Sequence, residues 1–199
     1  MIAVTATATV KPGVRALGIT ESYRDRHTES TLAGAVVRAS RVVDGLAFAS
    51  CTVGGMDATD AVCSLFTGLE REDVRYVLLG AVAPAWYNLL DLERLHAATD
   101  LPTIAVTFEA SDGLEPALRE AFSGEHLETR LDRYRALPPR RPLSVNDETV
   151  YVRNVGIEPE RADAVVRAFT PDGGRPEPTR VARVVARAAD RFRDEWSRG

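Results

Sequence analysis

Lysine is almost missing from this 199-residue sequence: Lys11 is the only one among 25 basic residues. Cysteine stops at two, histidine at three, and no apolar run approaches the roughly 20 residues that a membrane-spanning helix needs. Each shortage removes a class of protein. No membrane span is expected. Cys51 and Cys63 fall on a strand pattern and a helix pattern, so they read as small buried hydrophobes rather than a disulfide scaffold. His27, His96 and His126 each stand alone, without the ligand spacing of a zinc site. There is no Gly-x-x-x-x-Gly-Lys phosphate loop, and no third glycine follows Gly54-Gly55 at dinucleotide-binding spacing. No Gly-x-Ser-x-Gly nucleophile elbow occurs. Met1 to Thr5 carries no basic segment of the secretory kind, so the expected compartment is the cytoplasm.

What is present is ordinary globular composition, with 45% hydrophobic and 27% charged residues. No repeat, low-complexity tract or strong linker divides the chain, so one domain with a C-terminal helical extension is expected. The net charge of -4 is spread along the sequence. Through Asp100 there are nine basic and twelve acidic residues, and from Leu101 onward sixteen and seventeen. An acidic chain does not coat nucleic acid non-specifically, so any such role falls to a local basic stripe.

Met1 to Pro12 reads as loosely ordered, with a short strand where Thr5, Thr7 and Thr9 alternate with alanine. Apolar patterning then predicts strands over Val14–Ile19, Thr31–Ser40 and Leu46–Val53, with Asp44-Gly45 as a turn signal. Tyr23 to Thr31, which contains His27, reads as a solvated turn. After Val53 the rhythm changes. Helices are predicted at Asp57–Thr67, Asn88–Ala98 and Leu114–Phe122, alternating with strands at Arg75–Leu79 and Leu101–Phe108. Leu137 to Pro142 is a proline-rich breaker and reads as a surface loop. A strand at Thr149–Val155 and helices at Pro159–Phe169 and Thr179–Trp196 complete the chain. In the last helix Val181, Val184, Val185, Ala188, Phe192 and Trp196 make the apolar face. Three antiparallel strands followed by right-handed βαβ units describe an α/β ribonuclease H-like mixed sheet with flanking helices.

The stretch with the most chemistry is Thr52 to Phe66. A strand ends at Gly54-Gly55 and a helix opens near Asp57, which puts Asp57 and Asp60 on one face of the first turn. Such a pair can hold a hard cation or simply favour a helix N-terminus. Asn88 and Asp91 stand at a helix start, where capping competes with a place in a site. Glu109 follows a parallel-type strand, where ligands gather in open α/β sheets. Arg180, Arg183, Arg187 and Arg191 fall on one arc of the last helix, either as a solvated surface or as a track for phosphates.

Four stretches together resemble the archaeal endonuclease dU family, which is similar to endonuclease V. They are Lys11-Pro12-Gly13-Val14-Arg15-Ala16-Leu17-Gly18-Ile19-Thr20-Glu21-Ser22; Val43-Asp44-Gly45 with Gly55-Met56-Asp57-Ala58-Thr59-Asp60; Trp86-Tyr87-Asn88-Leu89-Leu90-Asp91 with Leu101-Pro102-Thr103-Ile104-Ala105-Val106-Thr107; and Arg175-Pro176-Glu177-Pro178-Thr179-Arg180-Val181-Ala182. The resemblance implies a ribonuclease H-like fold and a metal-dependent endonuclease that acts on deaminated bases in DNA, as in repair of uracil-type lesions. It implies Mg²⁺ or Mn²⁺ held by acids from the end of the first strand, the start of the first helix and the end of the fourth strand. Two of those places depart from the family pattern: Thr20 and Gly80-Ala81 stand where acids are usual, while Asp57 matches. Two readings follow. In one, Glu21, Asp57 and Asp60 form a rebuilt catalytic site, with Asp57 and Asp60 on the metal and Asn88 and Glu109 on the substrate. In the other, the chain binds nucleic acid or a protein partner without cleavage. The fold could also serve another ligand, because fold does not fix function.

Overall fold

The computed structural model describes residues 9–24, 27–108, 110 and 113–196. Glu109 and the threonines at 5 and 7 lie outside that set. The elements run β1 (Arg15–Ser22), β2 (Glu29–Arg38), β3 (Val43–Thr52), α1 (Ala58–Leu69), β4 (Val74–Leu79), α2 (Pro84–Tyr87), α3 (Leu92–Thr99), β5 (Thr103–Thr107), α4 (Glu115–Ala121), α5 (Gly124–Arg135), β6 (Arg141–Val145), β7 (Glu148–Val155), α6 (Pro159–Phe169) and α7 (Glu177–Trp196). One seven-stranded sheet has the order β3-β2-β1-β4-β5-β7-β6. The β1/β2, β2/β3, β5/β7 and β6/β7 pairs are antiparallel, and β1/β4 and β4/β5 are parallel. This is a mixed α/β sheet with flanking helices, ribonuclease H-like as the patterning predicts. None of the helices among the described residues is long and apolar enough to cross a membrane.

The sheet separates two apolar layers. Leu17, Ile19, Val77 and Leu79 meet Val62 and Leu65 of α1 and Leu92 and Leu95 of α3 on one face. Ile104, Val106, Val150 and Val152 meet Val165, Val166 and Phe169 of α6 on the other. β1, β4 and β5 are buried on both faces, which is why they read as near-continuous apolar runs.

Three local readings are corrected. The Asp44-Gly45 turn signal lies inside β3. The chain reverses earlier, at Arg41, whose φ is 69° and whose N–H donates to the Arg38 carbonyl at 2.7 Å. Asp44 instead accepts from Arg38 and Arg15, and these bonds hold its carboxyl well below the usual range. The proline-rich breaker contributes Arg141 and Pro142 to β6; as an edge strand, β6 tolerates a residue that cannot donate to a ladder. α5 was not predicted. It buries only Arg130 and Leu131, too few apolar positions to show a helical period.

The largest correction concerns α7. The face it buries is Pro178, Thr179, Ala182, Ala186, Asp190 and Asp194, whereas Val184, Phe192 and Trp196 stay exposed. Small residues win because this helix lies close against the sheet: a Cβ on Gly18 of β1 would strike the Pro178 backbone. The two buried aspartates take partners from the last residue of β1 and the segment that follows it. Asp194 faces Arg24 at 2.5 Å and His27 at 2.9 Å, and Asp190 accepts from Ser22 at 3.3 Å. His27 is therefore tied to α7 rather than simply solvated.

Candidate nucleic-acid interface

β1 and β4 are parallel neighbours, with Ile19 opposite Leu79. From β1 the antiparallel meander extends to one side of the sheet, and from β4 the sheet extends to the other. A crevice therefore opens beyond their carboxyl ends, where ligands bind in open α/β sheets. It holds two adjoining cavities. The first, about 310 Å³, is lined by Thr20, Glu21, Gly80 and Ala81 below and by Arg175, Arg183 and Arg187 above. The second, about 340 Å³, shares Gly80, Ala81, Arg175 and Arg183 and adds Phe108, Tyr134, Arg140 and Arg153.

The charge on these walls is one-sided. Arg175, Arg183 and Arg187 make no ion pair among the described residues. Burial lowers the Arg175 pKa, and the positive charges of Arg183 and Arg187 lower it further. Three like charges held together without an ion pair make this wall positive, offset in part by Glu21 in the same cavity. Arg175 lies 4.1 Å from the centre of the Phe108 ring and Arg153 lies 5.7 Å from that of Tyr134, so cations and aromatic faces alternate along the second cavity. Glu21 is the one acidic side chain lining either cavity among the described residues. Burial raises its pKa, against the opposing pull of Arg183 and the Ala85 backbone. The Thr20 hydroxyl is buried without a hydrogen-bond partner among the described residues.

The other sequence-derived site residues are arranged differently. Asp57 sits at the N-cap of α1, yet its carboxylate turns back to the strand it follows. It accepts from the Thr52 N–H at 3.1 Å, the Thr52 hydroxyl at 2.8 Å and the Asn88 amide at 2.6 Å. Burial raises its pKa, but the bonds from Asn88 and Thr52 outweigh burial and leave the carboxyl below its ordinary value. Asn88 is fully buried. Its amide also donates to the Thr52 carbonyl at 2.8 Å, and its Oδ1 accepts from the Ala58 N–H at 2.9 Å, so it caps α1 from a distance. Asp91 caps α3 by accepting from the Arg94 N–H at 3.0 Å. Asp60 is exposed and paired with Arg94. Thus Asp57 and Asn88 are brought together, Glu21 lines the first cavity, and Asp57, Asp60 and Asn88 line neither cavity.

α2, between β4 and α3, is a strained turn rather than a right-handed helix. Ala85, Trp86 and Tyr87 have φ of 48°, 57° and 62°, three left-handed residues in succession. The Gly54 N–H donates to the Ala85 carbonyl at 2.7 Å, and the Asn88 N–H donates to the Pro84 carbonyl at 2.9 Å, which holds the turn. Left-handed backbone costs a non-glycine residue about 1–2 kcal/mol each, and such strain concentrates at functional sites. The turn presents a half-exposed Trp86 against Tyr87 and Phe122, with ring centroids 5.9 Å and 5.0 Å away.

A hard cation needs several carboxylate oxygens converging on one point. Among the described residues no three His, Cys, Asp or Glu side chains form such a group. Thr20 and Gly80 offer no charge, burial favours the neutral form of Glu21, and Asp57 is engaged by Thr52 and Asn88. The described residues do not fit a divalent metal. Arg140, Arg153, Phe108 and Tyr134 carried no sequence signal, while Arg183 and Arg187 belonged to the arginine arc.

The family profile described as endonuclease dU matches residues 12–190. A UPF0215 protein from Thermococcus kodakarensis is 33% identical over 186 residues, covering 90% of this chain and 93% of its own length. A protein of unknown function from Archaeoglobus fulgidus, solved by crystallography, superimposes with a TM-score of 0.78 at 26% identity, over 88% of this chain and 98% of its own. The Ciona intestinalis endonuclease V, solved with a DNA containing an inosine followed by a ribo-adenosine, gives a TM-score of 0.59 at 12% identity, over 91% and 87% of the two chains. The fold is that of endonuclease V.

Proposed function

The chain belongs to the endonuclease dU family, and from that premise we propose that it binds nucleic acid in the arginine-lined crevice without hydrolysing it. The observation that carries this reading is the exchange of charge at the ends of β1 and β4. Thr20 and Gly80 stand at two positions where the family resemblance implies acids, and Arg175, Arg183 and Arg187 face them across the cavity. An acid cluster repels phosphate unless a cation bridges it; an arginine cluster attracts phosphate directly. Aromatic faces interleaved with arginine suit unpaired bases, so single-stranded DNA is the preferred form. Because the Ciona relative was solved with inosine-containing DNA, strands with deaminated bases, inosine or uracil, are the first ligands to test.

The test is anisotropy titration of labelled single- and double-stranded DNA, with and without uracil or inosine, in Mg²⁺, Mn²⁺ or chelator, beside gel analysis for nicks. Binding is expected to be unchanged by metal, to weaken steeply with salt, and to fall about tenfold or more in the Arg183→Ala/Arg187→Ala double variant. Nicking that requires Mg²⁺ or Mn²⁺ and is lost in Glu21→Gln or Asp57→Ala would overturn the reading. It would establish instead a metal-dependent endonuclease rebuilt around those acids.

A further inference from the structure

α7 packs against β1, β2 and β4 and leaves the outer strand β3 uncovered on the same face of the sheet. There Leu46 is 47% and Phe48 53% exposed. The helix borders them with Val184 at 58%, Phe192 at 63% and Trp196 at 79%, the last two with rings 6.0 Å apart. Between strand and helix runs a groove of about 730 Å³, lined by Phe48, Ser50, Val184, Val185, Ala188 and Phe192. A soluble monomer rarely leaves a contiguous apolar surface of this size open. β3 is also an unguarded edge. Its ten residues contain no proline, and its one charge, Asp44, is paired inward with Arg15, Arg38 and Arg71.

We infer that a second copy of this chain covers this face, in a two-fold dimer whose β3 strands pair antiparallel. Three features select a second copy over an unrelated partner. A strand paired antiparallel with itself is two-fold symmetric, as an isologous interface requires. With the two-fold at Ala47, Leu46 of one copy stands opposite Phe48 of the other, an aliphatic–aromatic cross-strand pair, while small residues Gly45, Ala47 and Ala49 occupy the other face. The exposed parts of Val43, Leu46, Phe48, Val184, Phe192 and Trp196 amount to roughly 700 Å², close to the ~800 Å² per partner of a stable interface. The groove shares no lining residue with the arginine-lined cavities, so the dimer carries two open crevices and stands independently of the nucleic-acid reading.

Sedimentation velocity of the full chain, from low to high micromolar concentration, tests this directly. The expected species has twice the 21.7 kDa chain mass. Phe48→Glu and Phe192→Glu, each with unchanged circular dichroism, are expected to weaken association roughly 100-fold or more. Amide exchange across Val43–Thr52 is expected to slow as wild-type concentration rises. A wild-type chain that sediments as a monomer throughout, or a dimer that survives both substitutions with β3 exchange independent of concentration, would overturn the inference.

Discussion

Thr20 occupies the space that a side chain at position 80 would need: a Cβ built on Gly80 would lie 2.6 Å from the Thr20 Cγ2. Thr20 lies near the end of β1 and Gly80 directly follows its parallel neighbour β4, so the two side-chain positions compete for one space. Gly80→Ala in the wild-type background is expected to cost about 1–3 kcal/mol by overpacking. In a Thr20→Ser background, which lacks that methyl, the same change should cost appreciably less. Urea unfolding of the four proteins gives the coupling, which should exceed about 0.5 kcal/mol. Strictly additive costs would mean that Thr20 gives way freely and the steric link is absent.

Asn88 holds together the end of β3, the carboxylate of Asp57 and the first N–H of α1. Removing its amide strands the buried Ala58 N–H, while the Thr52 carbonyl still accepts from the Gly55 N–H and the Asp57 carboxylate keeps its bonds from Thr52. An unsatisfied buried group costs about 1–3 kcal/mol, so Asn88→Ala is expected to lower stability by about that much. Asp60→Ala breaks only an exposed pair with Arg94 and should stay within about 0.5 kcal/mol. Thermal melts of both variants decide the matter. Equal losses would show that the Asn88 network adds little beyond an ordinary surface contact.

The strands of the central sheet were legible because burial on both faces leaves near-continuous apolar runs in β1, β4 and β5, and α1 and α6 were legible from helix periodicity and their start signals. The edges of the structure were not. Asp44-Gly45 has turn chemistry, but Arg15, Arg38 and Arg71 converge on Asp44 from positions far apart in sequence, and this tertiary charge network outweighs the local preference. α7 misled because its large apolar residues form the obvious stripe, while the close approach at Gly18 selects the alanine stripe for burial. At the crevice, the arc containing Arg183 and Arg187 was visible as a pattern. Arg140 and Arg153 reach the same place from a loop and from β7, and only the fold reveals that convergence.

Three successive left-handed residues hold a half-exposed Trp86 against Tyr87 and Phe122, directly after Ala83 and Pro84, which line the cavities. That strain has a use if the exposed indole stacks on a base. Under the binding reading, Trp86→Ala is expected to weaken single-stranded DNA binding by about 1–3 kcal/mol. The substitution keeps a non-glycine residue in the left-handed turn and deletes the ring packing on Tyr87 and Phe122, so the melting temperature is expected to fall modestly, and affinity is compared well below it. Trp86→Phe should restore most of the affinity. Undiminished affinity in the alanine variant would confine Trp86 to packing on Tyr87 and Phe122.

Glu21 separates a binding crevice from a catalytic one, because its charge opposes a polyanion. Burial raises its pKa above the ordinary value, so the folded state holds its proton more tightly than the unfolded chain does. As pH rises from about 4.5, the unfolded chain ionises first and stability falls until the folded carboxyl has also ionised; above that the penalty is constant. Glu21→Gln should therefore match wild type at pH 4 and be the more stable protein at pH 7, as read by urea unfolding at the two values. In the same variant DNA affinity at neutral pH should rise several-fold, since one negative charge leaves a cavity bordered by Arg175, Arg183 and Arg187. A catalytic carboxylate would behave in the opposite way, with cleavage abolished and binding little changed, so the two measurements on this one variant distinguish the roles.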